Sequence, residues 1–187
     1  MEKIVVTGSC GFIGYNFIKS NSSNFKIIGI DSLNNAYDKK LKDLRLLSLN
    51  DEPNFTFKHL DLSNEIALDK ESEIFENVST VLHLGARAGV RQSLLDPHMY
   101  LNTNIIGTLN LLELCKSSNI PKLVLASTSS LYGETHSNLI SESSPTDLPL
   151  TPYSVSKKSA ELICYSYHSQ YNIDISINRY FTVYGQF

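Results

Sequence analysis

Lys3-Ile4-Val5-Val6-Thr7-Gly8-Ser9-Cys10-Gly11-Phe12-Ile13-Gly14 passes from an apolar run through a glycine turn into a helical pattern. The run Lys3 to Thr7 reads as a short buried parallel strand. Gly8, Gly11 and Gly14 form GxxGxxG. The first glycine permits the tight turn, the second lets backbone approach a pyrophosphate, and the third lets the helix pack on the strand. The helix amino terminus adds partial positive charge for phosphates. Alone, the pattern is equally a turn joining two elements. Its strand–turn–helix context, with an acid closing the next strand, makes it a dinucleotide fingerprint.

Working outward, Lys26 to Asp31 is a second strand, and Asp38 to Ser48 a helix in which Leu41, Leu44 and Leu47 step by three along one face. Phe55 to His59 is a third strand, followed by Asp61 and a weak helix near Glu65 to Phe75. Thr80 to Leu84 is a fourth strand ended by Gly85, and Leu101, Ile105, Leu109 and Leu112 mark a helix over Met99 to Ser117. Lys122 to Ala126 is a fifth strand, Glu134 to Pro152 a loop, Tyr153 to Tyr171 a helix, and Asp174 to Asn178 opens a sixth strand. Alternating strands and helices with right-handed crossovers predict an α/β fold: a doubly wound, Rossmann-like parallel sheet in three α/β/α layers. With no internal linker or repeat, residues 1–187 read as a single domain.

Gly8, Asp31, Asp61, Gly85, Thr128 and Thr182 each fall at or just past the carboxyl end of a predicted strand, the edge where such sheets bind ligands. Asp31 can accept hydrogen bonds from an adenosine ribose diol and would repel a 2′-phosphate, favouring NAD over NADP; equally, it could cap the next segment. Asp61 is placed to meet an adenine amino group, or to cap a helix.

The chain has 187 residues with 42% hydrophobic content and a net charge of −3, enough for one real core and no field to attract nucleic acid or an anionic membrane. No apolar run approaches the roughly 18 residues of a bilayer span. The first strand starts too early for a signal peptide. Cys10, Cys115 and Cys164 are odd in number and far apart, and five scattered histidines lack ligand spacing. No disulfide framework and no metal site are expected, and a cytoplasmic setting fits.

Tyr153 and Lys157 lie one helical turn apart. A phenol with an ordinary pKa near 10 is a poor base at neutral pH. A neighbouring ammonium is expected to favour phenolate and lower that value. Thr128 offers a hydroxyl to donate to or relay protons with the reacting oxygen. YxxxK alone is also common on solvent-facing helices. Beside a dinucleotide it equips a site for redox chemistry at a hydroxyl-bearing carbon.

These motifs resemble the extended short-chain dehydrogenases/reductases, in the NAD-dependent epimerase/dehydratase family. TGSCGFIG is similar to that family's TGxxGFIG opening, and Leu125 to Gly133 to its SSxxVYG segment. Tyr153 to Lys157 matches YxxxK, Asn104 to Thr108 matches NxxGT, and Arg179-Tyr180-Phe181 matches RxF. Asp31 to Asp38, Leu41 to Leu46, Ala88 to Arg91 and Phe181 to Gly185 resemble loop segments of UDP-glucuronate 4-epimerases.

The resemblance implies catalytic Thr128, Tyr153 and Lys157. It implies cofactor contacts from Gly8, Gly11, Phe12, Ile13, Gly14, Asp31, Asp61, Leu62, Leu84, Gly85, Ala86, Asn104 and Lys157. Substrate contacts would be Arg91, Ser127, Ser129 and Thr182. The implied activity is 4-epimerisation of a UDP-sugar, UDP-glucuronate or UDP-galacturonate, by transient oxidation at C4 with NAD. A homodimer through the helices near Leu109 and Leu162 is implied too. Ser129 and Ser130 stand where dehydratases carry Asp-Glu and where decarboxylases place Glu, which removes the proton carrier for elimination. Arg87 stands where Gln is frequent. Family members run on past this point, so most of the substrate-binding lobe is expected to lie beyond Phe187. The alternatives are an NAD-binding module without catalysis of its own, and a nucleotide-sugar dehydratase or decarboxylase.

Overall fold

A computed structural model describes residues 1–134 and 139–185. Six parallel strands form one sheet in the order β3-β2-β1-β4-β5-β6: β1 (Lys3–Thr7), β2 (Lys26–Asp31), β3 (Phe55–His59), β4 (Thr80–His83), β5 (Lys122–Thr128) and β6 (Asp174–Tyr180). The register runs Thr7 to Ile30 and Thr7 to His83 on either side of β1, and Thr128 to Tyr180 between β5 and β6. The order reverses between β1 and β4, so the carboxyl ends of these two strands flank the crevice where such sheets take ligands.

Strand residues alternate between two cores. Val5, Ile28, Ile30, Val81, Leu123 and Leu125 pack with α3 (Glu65–Lys70), α6 (Gly107–Ser117) and α7 (Pro152–Tyr171) on one face. Ile4, Val6 and Ile27 pack with α1 (Phe12–Asn21) and α2 (Lys39–Leu49) on the other. Over β4 to β6 this second face is an open trough lined by Leu82, Val124 and Tyr180 with Phe17 of α1. Among the described residues no helix is long and apolar enough to cross a membrane.

Several expected boundaries shift. The weak helix after β3 is α3 followed by a 3₁₀ turn over Ser72–Phe75. The segment after Gly85 holds a short helix the sequence did not suggest, α4 (Val90–Leu95). The expected helix from Met99 is α5 (Pro97–Leu101) continued by one widened π turn, Asn102–Ile106, into α6. Part of the predicted loop before α7, residues 135–138, lies outside the described residues.

The largest departure is in α2. Leu44 and Leu47 are 57% and 67% exposed, whereas Lys42 and Arg45 are 5% and 4% exposed. The leucine stripe marks the outer face of this helix. The inner face carries two cations, kept there by partners. Lys42 donates to Asp31 and Asn34, and Arg45 donates to the Cys10 carbonyl and the Tyr37 hydroxyl. The Arg45 guanidinium also lies over the rings of Phe12, Tyr15 and Tyr37. Buried charges survive when so paired.

Candidate active site

The glycine turn is built for close backbone approach. Gly8 has φ +69°, and a Cβ there would meet the Gly85 amide nitrogen at 2.8 Å. A Cβ on Gly14 would fall 2.3 Å from the Gly8 carbonyl oxygen. So β1, the tip of β4 and the first turn of α1 close on one another only with hydrogen as the side chain. Gly11 starts α1 with no side-chain cap, so the helix presents its first amides and partial positive charge to the cleft.

Asp31, the last residue of β2, is held from three sides. Its Oδ2 accepts from the Cys10 amide at 3.1 Å, and its Oδ1 from the Leu33 amide at 2.8 Å and Lys42 Nζ at 3.4 Å. Asp61, just past the neighbouring strand β3, lines the same cleft and accepts from the Ser63 amide and hydroxyl, at 2.9 and 2.7 Å. It is not the cap of α3; Asn64 is, accepting from the Ala67 amide. Gly8, Gly11, Asp31, Asp61, Leu62, Leu84, Gly85 and Ala86 all line this one cleft. The narrow glycine bed, the uncapped helix start and the carboxylate fixed beside them fit a dinucleotide's pyrophosphate and ribose. Cys10 sits beneath with its thiol pushed up to about 12 by burial, which leaves it inert.

The other half of the edge lies two strands over, about 10 Å at ordinary strand spacing. Thr128 ends β5, and its Oγ1 accepts from the Ser130 amide at 3.1 Å. Tyr153 sits in the first turn of α7, started by Pro152 and a reciprocal cap between Thr151 and Ser154. Its ring meets Tyr100 edge-on at 6.2 Å, and Tyr100 donates to the Ala88 carbonyl on the wall of the cleft.

The electrostatics correct one expectation. Burial raises the Tyr153 phenol above its ordinary value, and the hydrogen-bonding Thr128 hydroxyl only partly offsets this. Lys157 is 3% exposed, and burial pulls its ammonium down to about 8. The protein by itself does not pre-form a phenolate, because desolvation disfavours both charged forms.

The remaining predicted residues fall in different settings. Asn104 lies in the π turn, 1% exposed, and clamps Arg87: its Oδ1 accepts from the Arg87 amide at 2.7 Å and its Nδ2 donates to the Arg87 carbonyl at 3.0 Å. Ser127 donates to Glu161 at 2.6 Å, and Arg179 grips the same carboxylate through Nε and Nη2 at 2.9 and 2.8 Å. Ser129 opens a 3₁₀ turn beside Thr128, while Arg91 and Thr182 are exposed. Lys42, Arg45, Tyr37 and His83 were not singled out from sequence. For Lys42, the signal was an acid eleven residues upstream in the same βα unit.

An open parallel sheet with a glycine bed at its reversal point and a Tyr–Lys pair two strands away defines a Rossmann-type dinucleotide domain of the dehydrogenase/reductase kind. The model of the NAD dependent epimerase/dehydratase family matches residues 4–187, and the chain belongs to that family. It is 48% identical over 189 residues to a UDP-glucuronate 4-epimerase of Thermodesulfobacterium geofontis, covering 99% of this chain and 57% of that protein. A crystal structure of UDP-glucuronic acid 4-epimerase from Bacillus cereus, in complex with UDP-glucuronic acid and NAD, superposes with a TM-score of 0.86 at 38% identity. That likeness covers 98% of this chain and 57% of the other. A dTDP-glucose 4,6-dehydratase from Streptomyces venezuelae, with NAD bound, gives 0.85 at 29% identity over 95% of this chain and 55% of that one. The chain thus spans a little over half the length of the relatives it matches.

Proposed function

We propose that this chain is the NAD-binding and catalytic part of a UDP-sugar 4-epimerase acting on UDP-glucuronate or UDP-galacturonate. The observation that carries the reading is the shared edge: the glycine bed, Asp31, Thr128 and the Tyr153–Lys157 turn all open on the carboxyl ends of β1, β2, β4 and β5. The likeness to glucuronate 4-epimerases supports the substrate class. NAD, when bound, takes up and returns the hydride at the sugar's C4. The chain supplies the rest. Gly8, Gly11, Phe12, Ile13 and Gly14 bed the pyrophosphate, Asp31 and Asp61 take the adenosine end, and Leu62, Leu84, Gly85, Ala86 and Asn104 complete the wall.

Tyr153 holds and moves the 4-hydroxyl proton, with Thr128 bonded to the same oxygen and Lys157 supplying positive charge beneath. Because burial raises the phenol, Thr128 and Lys157 are the chain's own groups that would oppose the shift, and the positive charge of an oxidised nicotinamide, when bound, would act in the same direction. Arg91, Ser129 and Thr182 are proposed substrate contacts. Ser127 joins them only if it leaves Glu161. Ser129 and Ser130, with no carboxylate, favour epimerisation over the elimination of the dehydratase relative. Exposed Leu95, Val155 and Leu162 on the helices of one face support a homodimer, and three free cysteines suit a cytoplasmic protein.

The second reading, supported by the burial that raises the Tyr153 phenol, is a module that binds NAD without turnover. In the complete protein, Tyr153→Phe should cut epimerisation of UDP-glucuronate at least about 100-fold, with NAD still bound. Undiminished turnover refutes the role of Tyr153. Binding of NAD without any turnover by the unsubstituted protein favours the module.

A further inference from the structure

His83, at the end of β4, is 2% exposed and takes no part in the mechanism above. Its Nδ1 lies 2.7 Å from Thr7 Oγ1 and its Nε2 lies 3.0 Å from Thr108 Oγ1. The neighbours decide where its proton sits. Thr108 gives its one hydroxyl proton to the Asn104 carbonyl at 2.6 Å, so towards His83 it can only accept. Nε2 therefore carries the hydrogen and Nδ1 is bare. Thr7 must donate to Nδ1, which leaves its oxygen to accept from the Gly85 amide at 2.9 Å. Burial, reinforced by Lys157, holds the imidazole down to about 3, so it is neutral at physiological pH.

The bonds continue in one direction. Asn104, whose carbonyl ends the Thr108 bond, donates from Nδ2 to Ser156 Oγ at 2.8 Å, and Ser156 Oγ donates to the Tyr153 carbonyl at 2.7 Å. Gly85, Thr7, His83, Thr108, Asn104, Ser156 and Tyr153 thus form one line from the glycine bed to the backbone of the catalytic tyrosine. Two head-to-tail runs meet at Asn104, one ending on its main-chain carbonyl and the other starting from its side-chain amide; within each run the bonds polarise one another, and a buried break leaves an unpaired group. Thr108 reaches the Asn104 carbonyl by the ordinary threonine back-bond of four residues, just where the helix widens to one π turn with the Gly107 amide on the Asn102 carbonyl.

We propose that His83 is a positioning residue which, as the Nε2–H tautomer, joins the cofactor's glycine bed to the tyrosine-bearing helix, so that seating a nucleotide and placing Tyr153 are coupled events. The coupling rests on the NAD reading of the cleft; the bond line does not.

Nitrogen-15 spectra of the imidazole test the line without cofactor. The expected result is a protonated Nε2, a bare Nδ1 and no titration between about pH 8 and about pH 5, since the free imidazole would titrate near 6.5. A proton on Nδ1, or titration in that range, overturns it. Thr108→Val should shift both the Gly85 amide and the Tyr153 ring resonances, and Thr108→Ser should restore them. Shifts confined to residues around 108, with the chain still folded, overturn the linkage, and a Val variant that fails to fold hands the decision to the Ser variant and the tautomer. NAD is then added to the unsubstituted chain and binding is followed by calorimetry. Binding that moves the His83 and Tyr153 signals supports the coupling, and binding that leaves them fixed overturns it. Failure of NAD to bind at all refutes the reading of the cleft and the coupling with it, while the cofactor-free spectra still decide the bond line.

Discussion

Asp31 and Lys42 meet at 3.4 Å in the wall of the cleft, their side chains only 5% and 6% exposed. The acid that would take a ribose diol is thus also the counter-ion of a buried ammonium. Asp31→Asn should lower NAD affinity about 10- to 100-fold, the worth of charge-assisted hydrogen bonds at roughly 1.5–3 kcal/mol. It should also narrow the preference for NAD over NADP, because the 2′-phosphate loses its repelling carboxylate while Lys42 remains. Calorimetric titration of both cofactors checks this. An unchanged NAD-to-NADP ratio contradicts the role of Asp31.

Gly14→Ala should destabilise the fold by about 3 kcal/mol or more, since its methyl would fall 2.3 Å from the Gly8 carbonyl oxygen, a backbone atom. Gly107→Ala, whose Cβ meets Leu62 Cβ at 3.2 Å, should cost far less. Thermal melts of the two variants side by side give the comparison. Equal melting temperatures would mean the turn is looser than described.

Lys157 has its ammonium pulled down to about 8 by burial, against about 10.4 in the unfolded chain. Between these values the unfolded chain holds a proton that the folded chain has shed, so this residue's contribution makes stability rise with pH. The cost of burying the ammonium is present in full below about pH 8 and fades towards pH 10.4. Lys157→Met removes the titration. The stability of the Met variant relative to the parent should therefore fall by up to about 3 kcal/mol between neutral pH and about pH 10. Urea unfolding at both ends measures it, and a pH-independent difference would show that Lys157 is not desolvated.

Glu161 is a buried carboxylate that burial alone would raise. Its bonds to Arg179 and Ser127 more than reverse that and hold it below the usual range. A group so lowered contributes stability above its unfolded pKa near 4.3 and loses it as pH falls through the folded value. Glu161→Ala should cost about 3–5 kcal/mol at neutral pH, the price of leaving Arg179 half-buried without its partner. The gap should close in acid, as denaturant titrations below about pH 4 would show.

How far the sequence reaches is clearest element by element. The six strands and the glycine turn were legible because a buried strand is a short apolar run and a turn needing φ above zero requires Gly8. The α2 helix was legible as a helix but not in its orientation: three leucines at a spacing of three outweigh Lys42 and Arg45 on any hydrophobicity count. What buries the cations is pairing with Asp31, Asn34, Tyr37 and the Cys10 carbonyl, and no local pattern encodes that. The π turn was hidden inside a good helical period. The His83 line joins residues 76 and 25 positions apart in sequence: the sheet register brings Thr7 beside His83, and the packing of α6 brings Thr108. Spacing puts Tyr153 and Lys157 one turn apart on α7, yet the direction of the phenol's shift was misjudged, because spacing says nothing about desolvation.

The most direct measurement is a crystal structure of this chain grown with NAD. The account predicts the pyrophosphate on the amides of the Gly8–Gly14 turn, the adenosine ribose on Asp31, and the nicotinamide ring in contact with the Tyr153 phenol. A nucleotide bound with its nicotinamide away from Tyr153, or bound outside this cleft, would contradict it.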